Sequence, residues 1–291
     1  MLSQEKNLTI HIASYATPSV ARLAAHWLRE VRAMEACERS GVRYELHMRR
    51  APDLVLDANS SAPDRRRWGF RPDEHILAST QHSLSVVRKL APTRALVLWA
   101  ELDVQPLLPY SELLPFLGTR ELVVMREPQP GVTPADLFNG GFYLLRATSR
   151  TRAWLRAWVH AFRHERLMPS PPVTNQPSML RALRETNLQV GVFPRHVVTG
   201  RVYPWLRRWP APWDPPFPKE PYLLRNTTVA FHAIAIAFDP TLFDRGAGPA
   251  SQENKIITML RAAQHVRAHE RACASATLLR TAPTSAETTI V

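Results

Sequence analysis

Residues 95–103 read Ala-Leu-Val-Leu-Trp-Ala-Glu-Leu-Asp, and this stretch decides the fold class of the chain. Its first five residues are all apolar, which is typical of a strand that is buried on both faces of a largely parallel sheet. On both sides of this stretch, apolar runs alternate with amphipathic segments, as in sheets whose strands are joined by crossover helices. We therefore predict an α/β protein with a mixed, mostly parallel sheet that is flanked by helices.

The same alternation sets the expected elements along the chain. We predict strands at 8–14, 43–48, 95–99, 121–126, 141–146, 188–193 and 227–234. We predict helices at 18–40, 73–90, 150–165, 176–186 and 251–266, and we expect Thr17 to cap the first helix ahead of Pro18. The proline-dense segment 203–222 is incompatible with a regular helix or a central strand, so we predict a structured loop there.

Composition and termini describe one domain followed by a tail. Of the residues, 45% are hydrophobic and 21% are charged, which is ordinary for a soluble globular protein. We expect a single domain over 1–267 and a disordered tail over 268–291, where apolar patterning gives way to Ala, Thr and Ser. We find no signal peptide, no run of about 18 apolar residues and too few cysteines for a disulfide framework. We therefore expect a cytoplasmic location.

The formal net charge of +12 bears on the partners of the chain. A positive field favours ligands that carry phosphate groups. The arginines are scattered and form no basic arm or known nucleic-acid motif, so we expect no nucleic-acid partner. A GC-rich genome would explain the abundance of arginine equally well.

Two carboxylates follow the apolar strand at Glu101 and Asp103. In an extended chain, residues two apart point to the same side, so both should face the region beyond the carboxyl end of the strand. Open α/β sheets bind ligands at that end, and carboxylates there suit Mg²⁺ or Mn²⁺. A solvated strand end or a helix-capping pair gives the same pattern.

Five segments follow one another along the chain: Glu101-Leu102-Asp103, Asn139-Gly140-Gly141-Phe142, Asn175-Gln176, Phe231-His232 and Asn254-Lys255. Taken in order, they resemble the nucleotide-diphospho-sugar transferases of the GT-A fold, in particular the family of the plant arabinosyl- and xylosyltransferases. In that family an apolar strand ends in Asp-x-Asp, an Asn-Thr-Gly-Phe-like strand follows, an Asp-Gln pair opens a helix, and a His and a Lys come last. The resemblance runs from Leu8 to Leu260, nearly the whole of the expected domain.

The resemblance implies a Rossmann-like GT-A fold and a metal-dependent hexosyl- or pentosyltransferase. The donor would be a nucleotide-diphosphate sugar, with a UDP-sugar as the first candidate. The acceptor would be a glycan, a protein or a small molecule, and the anomeric configuration would be retained. It further implies that Asp103, His232 and Glu101 hold Mn²⁺ or Mg²⁺ and that Lys255 faces the diphosphate. The other residues it implies are Ala13 and Tyr15 at the nucleotide, Gly140 and Gly141 in the donor pocket, and Asn139, Asn175 and Gln176 as catalytic residues.

Each of these assignments has a simpler structural alternative. Glycines such as Gly140 and Gly141 allow close backbone approach to a ligand, but they also form ordinary tight turns. His232 could be a core histidine, Lys255 a surface lysine and Tyr15 a packed aromatic.

Two departures from the family pattern leave a second function open. Glu101 stands where the family has the first Asp of Asp-x-Asp, and Asn175 stands where it has the Asp of Asp-Gln. The alternative is therefore a catalytically degenerate protein of the same fold that binds a nucleotide sugar or glycan. A nucleic-acid-associated protein and a nucleotidyltransferase are further alternatives, but no basic stripe and no Gly-rich phosphate loop supports them.

Overall fold

A computed structural model describes residues 8–50, 72–126, 138–165, 176–200 and 227–232, together with the single positions 256, 259, 260 and 263. The strands in these residues are β1 (Thr9–Ala16), β2 (Arg43–Arg50), β3 (Leu96–Ala100), β4 (Val104–Pro106), β5 (Leu122–Arg126), β6 (Phe138–Arg146), β7 (Val190–Val192), β8 (Val198–Gly200) and β9 (Ala230–His232). The helices are α1 (Ala21–Ala36), α2 (Pro72–Leu90), α3 (Leu114–Leu117), α4 (Ser149–Glu165) and α5 (Gln176–Thr186).

Six of the strands form a central sheet in the order β2-β1-β3-β6-β5-β7. The pairs β2/β1, β1/β3 and β5/β7 are parallel, whereas β6 is antiparallel to both of its neighbours, β3 and β5. Five strands of this sheet therefore run in one direction and only β6 runs against them. The prediction of a mixed, mostly parallel sheet flanked by helices is confirmed.

A second, smaller sheet of the described residues has the order β4-β9-β8. Its middle strand, β9, is antiparallel to β4 and parallel to β8. Because β4 begins only a few residues after β3 ends, this small sheet is tied directly to the carboxyl end of the central one.

The central sheet is covered by helices on both faces. Residues of β1 alternate between two core clusters, with Ile10 and Ile12 on one face and Ala13 and Tyr15 on the other. Helix α1 covers the first face, and α2, α4 and α5 cover the second. All five residues of β3 are buried, as expected for a strand with helices on both sides.

Sequence predicted the long elements better than their ends. Helix α1 stops at Ala36 rather than at Ser40, and the chain then turns through Gly41 at a φ of 78°. Thr17 does precede a short 3₁₀ turn that begins at Pro18, but its side chain makes no capping hydrogen bond. Strand β6 begins at Phe138, three residues earlier than predicted.

Some predictions lie partly or wholly outside the described residues. The proline-dense segment 203–222 and the tail 268–291 are wholly outside them. Of the helix predicted at 251–266, the four described positions are helical, and Met259 and Ala263 are buried in the core cluster on the α1 face. No helix in the described residues is long and apolar enough to cross a membrane.

Candidate functional site

The candidate site begins where β3 ends. The N–H of Glu101 donates to the carbonyl oxygen of Gly141 at 2.9 Å, which extends the β3/β6 ladder by one bond. The N–H of Val104 then donates to the carbonyl oxygen of Glu101 at 3.0 Å, so residues 101–104 form a tight turn that leads into β4. The sequence predicts an extended chain at Glu101 and Asp103, with both side chains on one side. The chain turns there instead, so an extended conformation is not what brings the two carboxylates together.

The turn nevertheless brings both carboxylates to His232. The Nε2 atom of His232 lies 3.0 Å from Oδ1 of Asp103 and 3.5 Å from Oε2 of Glu101. His232 is placed by backbone pairing, because it lies opposite Val104 in the β4/β9 ladder. The three side chains thus offer two carboxylate oxygens and one imidazole nitrogen within 4.8 Å of one another.

Exposure differs among the three residues of this cluster. His232 is 3% and Asp103 is 8% exposed, whereas the side chain of Glu101 is 41% exposed. Asp103 and His232 therefore form the buried base of the site, and Glu101 forms its opening to solvent.

The electrostatics of the cluster favour a positive charge. Burial alone lowers the pKa of His232, but the adjacent carboxylates of Asp103 and Glu101 outweigh burial and raise that pKa to about 10. The Nδ1 atom of His232 is buried and has no hydrogen-bond partner among the described residues. Two carboxylates and one imidazole nitrogen at a single point are a donor set that suits a divalent cation.

Strand β6 passes close to the cluster at Gly141. A Cβ atom at Gly141 would lie 2.5 Å from Cε1 of His232 and 2.7 Å from Oε2 of Glu101, so no side chain fits there. The N–H of Gly141 donates to Oδ1 of Asn139 at 2.7 Å. These residues lie inside β6, so the tight turn that sequence also allowed is wrong. Gly141 approaches the side chains of His232 and Glu101 closely, and the predicted approach of Gly140 and Gly141 to a ligand stays a prediction.

An irregularity in the sheet accompanies this approach. The β5/β6 register shifts between Val124, which pairs with Tyr143, and Met125, which pairs with Asn139. Residues 140–142 therefore bulge from the β5 side at the level of the site. Bulges are common next to functional sites because they redirect a strand locally.

A buried polar contact that the sequence did not predict holds β4 in place. Gln105 is completely buried in β4, and its side chain contacts His26 at 2.9 Å and Glu30 at 2.8 Å, both of α1. Because Gln105 lies two residues after Asp103, this contact fixes the turn that carries the carboxylate. The signal was present in the sequence as a polar residue between Val104 and Pro106.

The structure gives the positions of most of the remaining predicted residues but does not test their roles. Ala13 and Tyr15 are buried in the core face that α2 covers, and Gly140 is buried in β6. Gln176 is the first residue of α5, as the helix-opening pattern predicted. The roles of all four as donor or catalytic residues stay predictions. Asn175 and Lys255 lie outside the described residues.

Comparison with known proteins identifies the fold. No family model and no characterised protein sequence matches the chain. Its structure superposes on that of a glycosyltransferase involved in the glycosylation of the major capsid of PBCV-1, with a TM-score of 0.50 and 10% identity over 86% of this chain and 98% of that one. It also superposes on the glycosyltransferase GlyE of Streptococcus pneumoniae TIGR4, with a TM-score of 0.51 and 11% identity over 90% of this chain and 64% of GlyE.

These identities establish a common fold and not a common activity. The fold that the sheet order and the superpositions define is the GT-A fold. The chain spans nearly all of the PBCV-1 enzyme and just under two thirds of GlyE.

Proposed function

We propose that the protein is a metal-dependent glycosyltransferase that moves a sugar from a nucleotide-diphosphate donor, a UDP-sugar first of all, to a glycan, protein or small-molecule acceptor. The observation that carries this proposal is the convergence of Glu101, Asp103 and His232 at the carboxyl end of β3 within a GT-A fold. Ligands of open α/β sheets bind at this edge, which supports a donor site there.

The donor set fits the metal that the resemblance implies. Asp103 and His232 are buried and held by the β4/β9 pairing, so they would bind Mn²⁺ or Mg²⁺ directly. Glu101 is close enough to contribute its carboxylate and is exposed enough to contact a bound donor. A divalent cation bound here would neutralise the diphosphate as it leaves.

The protein's own groups would then position the donor. The carboxylate of Asp103 contacts His232 at the base of the site, and the absence of a side chain at Gly141 lets His232 and Glu101 pack against β6. We assign the amide groups of Asn139 and Gln176 to the donor sugar, where positive charge develops as the glycosidic bond breaks. Removing one preorganised contact to the negative charge that develops on the leaving diphosphate typically raises the barrier by about 2.7–4 kcal/mol, or about 10²–10³ in rate.

The family resemblance extends this assignment to residues whose contacts with a donor the structure does not show. We assign Tyr15 and Ala13 to the nucleotide, Lys255 to the diphosphate and Asn175 to the sugar. Retention of the anomeric configuration is part of the same proposal.

The proposal is tested by thermal unfolding of the protein with a panel of nucleotide sugars, with and without Mn²⁺. A ligand at 100 times its Kd stabilises the folded state by about 2.7 kcal/mol. For a domain of this size, that raises the unfolding midpoint by about 5–10 °C. We expect this rise for at least one UDP-sugar together with Mn²⁺, and we expect Asp103→Asn to abolish it because the variant removes a charged ligand.

The matched control is Glu112→Gln, which removes an exposed carboxylate nine residues after Asp103 that is not a member of the cluster. The control should keep the full rise in midpoint. An equal rise in the Asp103→Asn variant would refute the metal assignment. Donor hydrolysis measured on the same samples separates the two functions, because stabilisation without any turnover would identify the degenerate binding protein instead.

A further inference from the structure

A second group of metal-binding side chains lies on the first two strands, away from the candidate donor site. It consists of His11 of β1 with Glu45 and His47 of β2, and we refer to it as the β1/β2 cluster. In the parallel register His11 lies beside Glu45, and His47 lies beside Ala13. All three side chains therefore project from the same face of the sheet, the face that α2 covers.

The three side chains converge on one point. The Nδ1 atom of His11 lies 3.0 Å from Nε2 of His47 and 3.4 Å from Oε2 of Glu45. The Nε2 atom of His47 lies 3.3 Å from Oε1 of the same carboxylate. A tetrahedral Zn²⁺ with its ligands at about 2.0–2.1 Å places neighbouring ligand atoms about 3.3–3.4 Å apart. The cluster already has nearly this spacing.

We propose that His11, Glu45 and His47 bind a divalent transition-metal ion, with Zn²⁺ as the best match to two imidazoles and one carboxylate. Imidazole nitrogen favours Zn²⁺ and its first-row neighbours, whereas Mg²⁺ prefers oxygen ligands. The β1/β2 cluster and the donor site therefore differ in the metal that each would select.

The two sites are separated along the sheet. His11 pairs with Val97 in the β1/β3 register, and Val97 is four residues before Glu101. At about 3.3 Å for each residue, the cluster lies about 13 Å from the carboxyl end where the donor site begins. A single ion cannot serve both groups of ligands.

The surroundings leave the cluster available for a metal. The His47 side chain is 24% exposed and the His11 side chain 12%, so both imidazoles can be reached from solvent. His82 of α2 uses Nε2 to donate to the backbone carbonyl of His47, so it positions β2 and is not a fourth ligand. Glu45 is 56% exposed, which leaves a fourth position open to water.

Positive side chains around the cluster oppose a cation. The positive charge of Lys89 of α2 opposes a positive charge at His47, and the positive charge of Arg49 of β2 opposes one at His82. Binding therefore depends on direct coordination by the three ligands and not on the field of the surrounding protein.

The test measures zinc retained by the full-length protein after metal removal, exposure to Zn²⁺ and dialysis. The variants are Glu45→Gln and His47→Gln, and the matched control is His160→Gln, an exposed histidine of α4. Asp103→Asn is added because it removes a ligand of the donor site only. Co²⁺ substitution provides a second readout, since visible absorption reports the nitrogen and oxygen ligands of a tetrahedral site.

We expect one equivalent of zinc that is retained equally by the parent, His160→Gln and Asp103→Asn and is bound at least tenfold more weakly by Glu45→Gln. Zinc held at the donor site would instead be retained by Glu45→Gln and lost in Asp103→Asn. Glu45→Gln is the decisive variant because its exposed side chain can be changed without disturbing the core, and its circular dichroism should match the parent. Zinc retained by both cluster variants as in the parent would overturn the proposal. Zinc lost only in Asp103→Asn would overturn it as well, since the ion would then belong to the donor site.

Discussion

The change Gly141→Ala tests the geometry of the candidate site most directly. The added Cβ would lie 2.5 Å from Cε1 of His232, whereas ordinary contacts begin at 3.4 Å, so the imidazole would have to retreat by about 0.9 Å. Oε2 of Glu101 at 2.7 Å would have to move by about 0.7 Å. Displacements of about 1 Å in a catalytic group lower rates by about 10²-fold.

The assay compares two properties of the same variant. Overpacking in a well-packed region typically destabilises by about 1–3 kcal/mol, so the unfolding midpoint should fall by only about 2–12 °C. In contrast, donor turnover should fall by about 10²-fold or more, and the stabilisation by nucleotide sugar and Mn²⁺ should be lost.

Gly191→Ala is the matched control for this change. Gly191 also lies in a strand, β7, but the nearest atom to its added Cβ is Cδ of Arg120, at 2.8 Å on a flexible exposed side chain. We expect Gly191→Ala to keep turnover within about threefold of the parent, since its crowding is relieved without moving a site residue. Turnover in Gly141→Ala within the same threefold range would refute the reasoning, because it would show that the position of His232 does not matter.

Two further predictions concern stability. Ser83→Ala leaves the buried hydroxyl of Tyr143 without its 2.6 Å hydrogen bond and should lower the free energy of unfolding by about 1–3 kcal/mol in urea titrations. Adding Tyr143→Phe should recover part of that loss, and strictly additive effects would contradict the coupling. Burial raises the pKa of Glu38, but hydrogen bonds that include those from Ser40 and Ser111 outweigh burial and lower it. The ionised Glu38 side chain therefore stabilises the fold above about pH 4.3, and this stabilisation is lost as the pH falls through the lower folded pKa. Glu38→Gln should therefore make the midpoint of thermal unfolding depend less steeply on pH in the acid range. An unchanged dependence on pH would contradict this.

The central sheet could be predicted because its strands carry their own signal. The apolar run from Leu96 to Ala100 is buried on both faces, and the alternation in β1 separates two core faces. Strands β4 and β8 were not predicted, since each has three residues and forms only by pairing with β9. Three residues are too few to show a period, and their partner lies far away in the sequence.

The candidate site could be predicted in its members but not in its geometry. The order of Glu101, Asp103 and His232 along the chain was visible, and the structure brings the three together. The turn at 101–104 was not predicted, because Asp103, which alone favours a turn there, was assigned to an extended strand end, and no Gly, Pro or Asn accompanies it. The β1/β2 cluster was also missed, although Glu45 and His47 show the two-residue spacing of a strand face.

The pairing of β4 with β9 determines when the site can form. Asp103 and His232 are 129 positions apart in the sequence, yet they are adjacent in space. Closing so long a segment has a large entropic cost, and contacts of this sequence separation slow folding. During synthesis, Asp103 and Glu101 emerge from the ribosome long before their histidine does. The intact cluster therefore exists only once the chain as far as β9 has been made and folded, so metal binding at this site would report completed folding.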